Sequence, residues 1–250
     1  MKVDLNADMG ESFGAWTMGN DAALLDIVTS ANIACGFHAG DPDVMALTMA
    51  LAVQKGVGIG AHPGFADLKG FGRRRLPIPA KELVNAMTYQ LGAAQGMARA
   101  AGGQVRHFKI HGALNNMACE NEALARTLFE AALKVDPDIV IVALPGTAME
   151  PVLTDLGCQW AAEIFADRAY NDDLTLVDRS LPGAVLHDPA EAASRMVDMV
   201  KTGKILTASG NRIPARIDTI CVHGDGPEAL AIARSVRNAL EAADVTVARL

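Results

Sequence analysis

Four of the six histidines in this 250-residue chain, His38, His62, His111 and His223, stand where short apolar runs end. Imidazole titrates near neutrality and ligates metals, so several gathered on one rim could act as acid, base or ligand. Asp4, Asn6 and Asp8 alternate along one such run and share a face by the two-residue period of a strand. Three polar groups on one face of a buried strand must meet water, substrate or metal. The competing reading is that Asp8 and Glu11 cap the turn and helix that follow. Lys109 and His111 share a face in the same way. A buried lysine beside a histidine suits a carboxylate, a phosphate or a developing oxyanion. Glu163, Asp167 and Arg168 cluster at the end of a later run, where a structural ion pair is the alternative to ligand binding. His223-Gly224-Asp225-Gly226 reads as strand, glycine turn and helix start, which presents backbone N–H groups to an anion. His107 and His187 read as structural or surface residues.

The elements that must position these groups alternate regularly. Strands are expected at Val3–Met9, Ser30–Phe37, Val57–His62, Val105–His111, Ile139–Leu144, Trp160–Phe165 and Thr219–His223. Between them run helical stripes: Leu83, Met87, Leu91 and Ala94; Leu124, Leu128, Ala131 and Val135; Leu230, Ala233, Val236 and Leu240. Asn20-Asp21, Asp41-Pro42, Pro79, Asp188-Pro189 and Gly226-Pro227 mark helix starts, and Gly56 and Gly102-Gly103 mark stops. Strand–helix alternation implies a mostly parallel sheet, closed or doubly wound. An open sheet concentrates its site at one switch point, whereas a barrel draws on many strand ends. Six of the seven expected strands end in ionisable or amide groups, and the fifth ends at Leu144-Pro145-Gly146. The expectation is a single domain over 1–250: an α/β, seven-stranded β/α barrel with one site at its rim. Gly64–Pro79 and Asp167–His187 interrupt the alternation and read as working loops.

Composition narrows the partners. Half the residues are hydrophobic, which excludes disorder, and a net charge of −7 argues against nucleic acid and anionic membrane. No apolar run approaches the roughly 20 residues that span a bilayer. The start, Met1-Lys2-Val3-Asp4, lacks a signal-peptide pattern, and Cys35, Cys119, Cys158 and Cys221 are scattered without CxxC spacing. Both point to a cytoplasmic protein with reduced thiols. A P-loop, a strand-borne G-x-G-x-x-G, G-x-S-x-G and H-E-x-x-H are all absent. Any nucleotide site is therefore unconventional or shared with another chain.

The blocks Asp4-Leu-Asn-Ala-Asp-Met-Gly-Glu11, Ser30-Ala-Asn-Ile-Ala-Cys-Gly-Phe-His-Ala-Gly-Asp41, Gly60-Ala-His-Pro63, Phe71-Gly-Arg73, His111-Gly-Ala-Leu114, Glu163 to Tyr170 and Cys221-Val-His-Gly-Asp-Gly226 resemble the LamB/YcsF family. These are the A subunits of bacterial ATP-dependent 5-oxoprolinases. The resemblance covers nearly the whole chain, with two departures: Ile110 stands where the family motif has proline, and Asn115 where it has tyrosine. It implies an irregular seven-stranded β/α barrel similar to polysaccharide-deacetylase, TIM-type barrels. It also implies hydrolysis of 5-oxo-L-proline to L-glutamate coupled to ATP cleavage, with two further subunits (B and C) as partners.

On that reading Asp8 or His62 is the base, and His38 and His111 carry protons. Lys109 and Arg168 hold the substrate carboxylate or a phosphate. Asn6, Asp41, Glu163, Asp167 and the turn His223, Gly224, Asp225 and Gly226 bind substrate or anion. ATP is a co-substrate. Two other classes remain. One is a metal-dependent deacetylase or amidohydrolase acting alone, with a divalent metal on Asp8, His38 and His62. The other is a non-catalytic subunit that binds substrate or scaffolds its partners. Self-association is left open.

Overall fold

In the computed structural model, which describes residues 1–224, 226 and 228–250, the first strand runs through Lys2–Met9 (β1) and is buried along nearly its whole length. Its odd residues, Val3, Leu5, Ala7 and Met9, join the apolar core between strands and helices. Its even residues, Asp4, Asn6 and Asp8, turn the other way. The next strands are β2 (Ser30–Ala34), β3 (Gly58–His62), β4 (Val105–Lys109), β5 (Val140–Ala143) and β6 (Trp160–Phe165). An antiparallel hairpin of β7 (Lys204–Leu206) and β8 (Arg212–Pro214) intervenes before β9 (Thr219–His223). Strands β1 to β6 pair in order, all parallel, and β9 pairs with both β6 and β1, closing a seven-stranded barrel. A short β10 (Thr246–Val247) adds to the start of β1 outside the ring.

Eight α-helices are found among the described residues: α1 (Asp21–Leu24), α2 (Pro42–Lys55), α3 (Ala80–Ala100), α4 (Gly112–Glu120), α5 (Glu122–Val135), α6 (Met149–Leu156), α7 (Pro189–Thr202) and α8 (Ala229–Ala242). The caps follow the sequence signals. Asn20, Asp41 and Asp188 each accept a hydrogen bond from a backbone N–H of the first turn, with Pro42 and Pro189 in the first turns of α2 and α7. Gly56 ends α2 in the left-handed region at φ 69°. Leu83, Met87, Leu91 and Ala94 of α3 are buried, as the helical period requires.

The expected strands all form, each end within one residue of expectation except two C-terminal ends. β2 stops at Ala34 rather than Phe37, where Gly36 takes φ 87° and turns the chain. β4 stops at Lys109, and His111 becomes the N-cap residue of α4. The hairpin β7–β8 and β10 were not expected, because two or three residues are too few to show a period.

Register sets the interior. Asp8 lies opposite Asn32 on β2 and His223 on β9; Asn32 lies opposite Gly60 on β3, and Gly60 opposite His107 on β4. In-register neighbours of a parallel sheet face the same side, so these residues form rows inside the ring. Gly60 leaves a gap in its row, and the His107 ring fills it: a Cβ on Gly60 would lie 2.0 Å from His107 Nε2. Barrels of this type usually fill with layers of branched apolar residues. This one fills largely with hydrogen-bonded polar groups, with apolar residues such as Val140, Val142 and Phe165 among them.

Candidate active site and metal cluster

The interior polar groups stack from the base of the barrel to its mouth. At the base, the Asp4 carboxylate accepts from the hydroxyls of Thr29 (2.7 Å), Ser30 (2.7 Å) and Thr219 (2.5 Å). Above it, Asn6 Nδ2 donates to Thr219 Oγ1 at 2.7 Å and to Glu163 Oε1 at 3.1 Å. Asn32 Nδ2 donates to Asn6 Oδ1 at 2.6 Å and to Asp8 Oδ1 at 2.8 Å, and its own Oδ1 accepts from His107 Nε2 at 2.7 Å. Burial pushes His107 down to about 3, so the ring is neutral.

Lys109 crosses the barrel and ties three strands together. Its ammonium lies 2.8 Å from Asp8 Oδ1 and 2.9 Å from Glu163 Oε1, and it donates to Cys221 Sγ at 3.0 Å. Burial works against the Lys109 charge, but Asp8, Cys221 and Glu163 around it together outweigh that and raise the ammonium well above its ordinary value. Burial likewise opposes the Asp8 charge, yet His62 and Lys109 hold its carboxyl well below the usual carboxylate range. Glu163 moves the other way: burial raises it, with Lys109 only partly countering. Two carboxylates share one ammonium, and their environments push them apart, with Asp8 the more readily ionised member.

Above this pair a cavity of about 560 Å³ opens at the C-terminal ends of the strands. Asp8, His62, Lys109, His111, Arg168 and His223 line it, and Arg73, Arg75 and Arg179 add cations to its wall. The loop 171–180 forms one side, and Asn115 lies on another. Arg168 is buried, which lowers it to about 10, and its guanidinium donates to the Val177 and Ala184 carbonyls. It thus holds the second irregular loop in place while facing the cavity. His223 stacks on Phe165 at 5.3 Å, and its Nδ1 lies 2.8 Å and 2.9 Å from the Asp167 oxygens. Burial opposes the Asp167 charge, and the neighbouring His223 overcomes it and lowers the carboxyl.

A second group of side chains lies beside Asp8. The ligand atoms of Glu11, His38, His62 and His111 all lie within 4.8 Å of one another. His62 Nδ1 meets the Lys109 carbonyl at 2.8 Å, and His111 Nε2 meets the Phe71 carbonyl at 2.8 Å. His38 stacks on His111 with ring centroids 3.7 Å apart and is wholly buried. Burial lowers both His38 and His111 well below the ordinary histidine value, so neither rests as a cation. The loop 64–79 lies directly on these rings. Gly72 sits at φ 62°, and a Cβ there would come within 2.8 Å of both.

The sequence-derived candidates therefore divide. Asp8, His62, Lys109, His111, Arg168 and His223 meet at one cavity. Asn6 and Glu163 are bonded to each other beneath it, and Glu163 reaches the cavity only through Lys109. Asp41 caps α2 and accepts from Gly14 N–H at 2.7 Å, roles that occupy both of its oxygens. His38 lies behind His111 rather than on the cavity wall. Asp167 orients His223. Gly224 packs on the Asp8 backbone, where a Cβ would lie 2.7 Å from the Asp8 carbonyl. Gly226 is exposed, and Asp225 lies outside the described residues. The grouping that could hold a metal contains Glu11 and His111 with His38 and His62, while Asp8 falls in a separate group with Cys221 and His223.

Sequence reasoning did not single out Asn32 or Cys221 as interior groups, though Cys221 is in phase with His223; His107, read as structural or surface, is a buried ring bonded to Asn32. That reasoning weighed Glu11 as a cap, named Arg73 only within a family block, and gave Arg75 no role. His187 is exposed beside Glu228, as expected of a surface residue.

Comparison with known proteins agrees with this architecture. The chain is 63% identical to a protein of Ruegeria pomeroyi named as the A subunit of 5-oxoprolinase, over 98% of this chain and 97% of that one. A solved structure of a lactam utilization protein from Thermus thermophilus superposes with a TM-score of 0.94 at 43% identity and full coverage of both chains. A family 4 carbohydrate esterase from Streptomyces lividans shares the fold alone, with a TM-score of 0.52 and 11% identity over 98% of this chain and 91% of that one. The LamB/YcsF family profile matches residues 3–250. A closed parallel barrel, a polar interior bridged by Lys109 and a sequence match along its whole length place this chain in the LamB/YcsF family.

Proposed function

We propose that this chain is the A subunit of an ATP-dependent 5-oxoprolinase, which opens the lactam of 5-oxo-L-proline to L-glutamate as ATP is cleaved to ADP and phosphate. The observation that carries the reading is the ionised Asp8 carboxylate beside Lys109 at the floor of an arginine-walled cavity. The names of its relatives agree with that reading. A lactam is a poor electrophile, so its oxygen is first phosphorylated by ATP. Water then adds to the ring carbon and gives its proton to a base, and the ring nitrogen leaves carrying a proton. The resulting acyl phosphate loses phosphate to a second water. Asp8 is the group placed to accept the proton of the attacking water, because its ionised carboxylate faces the cavity, though its lowered carboxyl makes it a weaker base than a free aspartate. His62, with Nε2 3.4 Å from Asp8 Oδ2, flanks the base and helps hold its carboxylate in place. Arg168, Arg73 and Arg179 supply cations for the substrate carboxylate and phosphate. Lys109 is committed to Asp8 and Glu163, so it orients and charges the base.

ATP is the co-substrate, and two further subunits complete the enzyme and contribute to the nucleotide site, in the cytoplasm. No described helix is long and apolar enough to cross a membrane. Asn115, on the cavity wall where the family motif has tyrosine, is the position to test for substrate preference. The test is 5-oxoproline-dependent phosphate release with and without the two candidate partner subunits. Phosphate should appear only when all three chains and 5-oxoproline are present. Release that ignores 5-oxoproline, or full lactam hydrolysis by this chain alone without ATP, would contradict the proposal.

A further inference from the structure

Two hydrogen bonds fix where the protons of His62 and His111 lie. A backbone carbonyl can only accept, so His62 Nδ1 must donate to the Lys109 carbonyl and His111 Nε2 to the Phe71 carbonyl. With those N–H groups so placed, the remaining ring nitrogens are His62 Nε2 and His111 Nδ1, each a lone pair in the neutral ring. These two nitrogens face each other at 3.0 Å. Two lone pairs at that distance repel unless a cation lies between or beside them. One proton would answer this contact, but it would leave His38 unexplained. His38 is wholly buried, and both of its ring nitrogens are without a hydrogen-bond partner. Its Nε2 lies 3.8 Å from Glu11 Oε1, beyond hydrogen-bond range. A buried ring with two orphaned nitrogens requires a ligand that the protein itself does not supply.

We propose that Glu11, His38, His62 and His111 form a binding site for one divalent transition-metal ion of the zinc class. Three imidazole nitrogens and one carboxylate oxygen are the donor set such ions prefer. The spacing is close, since tetrahedral ligands at zinc distances stand roughly 3.4 Å apart. Here the His62–His111 pair is 3.0 Å apart and the His38–Glu11 pair 3.8 Å. The His38 and His111 rings, however, lie stacked and nearly parallel at 3.7 Å, so one of them must turn for both to bind one ion. The carbonyl bonds at the far nitrogens of His62 and His111 are the outer-shell contacts that orient metal-bound histidines. The loop 64–79 seals the set, with Gly64 and Gly72 giving the rings the room that a side chain would fill. Asp8 remains outside the ligand set, ionised beside Lys109. The proposal does not depend on the lactam reading, since it is read as binding to the chain alone.

The test is titration of the full chain, stripped by a chelator, with Co2+ and then Zn2+. Visible absorption bands of four-coordinate cobalt should grow to saturation at about one ion per chain and be displaced by zinc. Glu11→Gln and His38→Gln should each weaken cobalt binding by at least about tenfold, while Cys221→Ser, in the neighbouring group, should bind as tightly as the wild type. Wild-type protein with no saturable band overturns the proposal, and so does unchanged affinity in folded Glu11→Gln. Loss of the band in Cys221→Ser with retention in His38→Gln overturns it too, by moving the ion to Asp8, Cys221 and His223. The wild-type stoichiometry needs no variant to fold, and Glu11, at the edge of the cavity, carries the mutational arm if His38→Gln does not.

Discussion

The base of this barrel and its mouth are built from the same kinds of residue, yet they differ in how completely their hydrogen bonds are met. At the base, Asp4 has three hydroxyl donors, and Asn6, Asn32 and His107 hand hydrogen bonds on to one another. Nothing there calls for a ligand. At the mouth, His38 has two orphaned nitrogens, ring nitrogens of His62 and His111 face each other at 3.0 Å, and Asp8 is ionised against an open cavity. Burial and polarity are equal in the two regions, so neither property alone marks function. The separating property is satisfaction: a closed network holds structure together, and an open one awaits something from outside.

The comparison can be broken most forcefully at Lys109, which belongs to both regions. Lys109→Met leaves Asp8 and Glu163 buried without their cation. The expected loss is about 3–5 kcal/mol of stability, read as a Tm lower by roughly 10 °C. Adding Glu163→Gln should recover part of that loss. A double variant worse than the single one would show that Glu163 has another charged partner. Next comes Gly60→Ala, whose added methyl displaces the His107 ring and breaks its bond to Asn32. That should cost roughly 1–3 kcal/mol in chemical denaturation. Thr219→Val, at the base, should cost about 1–2 kcal/mol by removing one hydrogen bond from each of Asp4 and Asn6. It should leave turnover by the assembled enzyme intact. A Thr219→Val protein that folds normally but loses turnover would erase the distinction between base and mouth.

The smallest effect concerns the thiols. Burial raises Cys35 and Cys119 to about 12 and holds Cys221 well above its ordinary value, whereas Cys158 is only half-buried. A thiol reagent should titrate one cysteine in the native chain and four after denaturation, with no change in stability on blocking the first. More than one reactive native thiol would mean that the interior opens.

Much of this arrangement was legible in the sequence because a strand's period of two is strict. Asp4, Asn6 and Asp8 could be assigned one face, and six polar strand ends indicated a closed ring rather than a single switch point. The depth of each group was harder to read. Asn6 and Asp8 alternate identically along β1, but only Asp8 reaches the cavity, because the level of a residue depends on strand stagger across the ring. The pairing of Asp8 with Lys109, 101 residues apart, exists only after closure. Glu11 lies past the strand, beyond Gly10 at φ 69°, where alternation no longer says which way a side chain points. The arginines of the cavity wall sit on irregular loops with no period at all. The resemblance to a known family supplied the chemistry, and the physical reading supplied the reason that chemistry is lodged at the mouth.

The account turns on Asp8 as the base at that mouth. The most direct measurement is L-glutamate formed from 5-oxo-L-proline and ATP by the reconstituted three-subunit enzyme carrying wild-type or Asp8→Asn chain, with assembly checked by size. Asparagine keeps the shape but cannot accept the proton, so turnover should fall at least about 100-fold, the low end of what a general base contributes, while the complex still assembles. An assembled Asp8→Asn enzyme that makes glutamate at the wild-type rate would contradict the account.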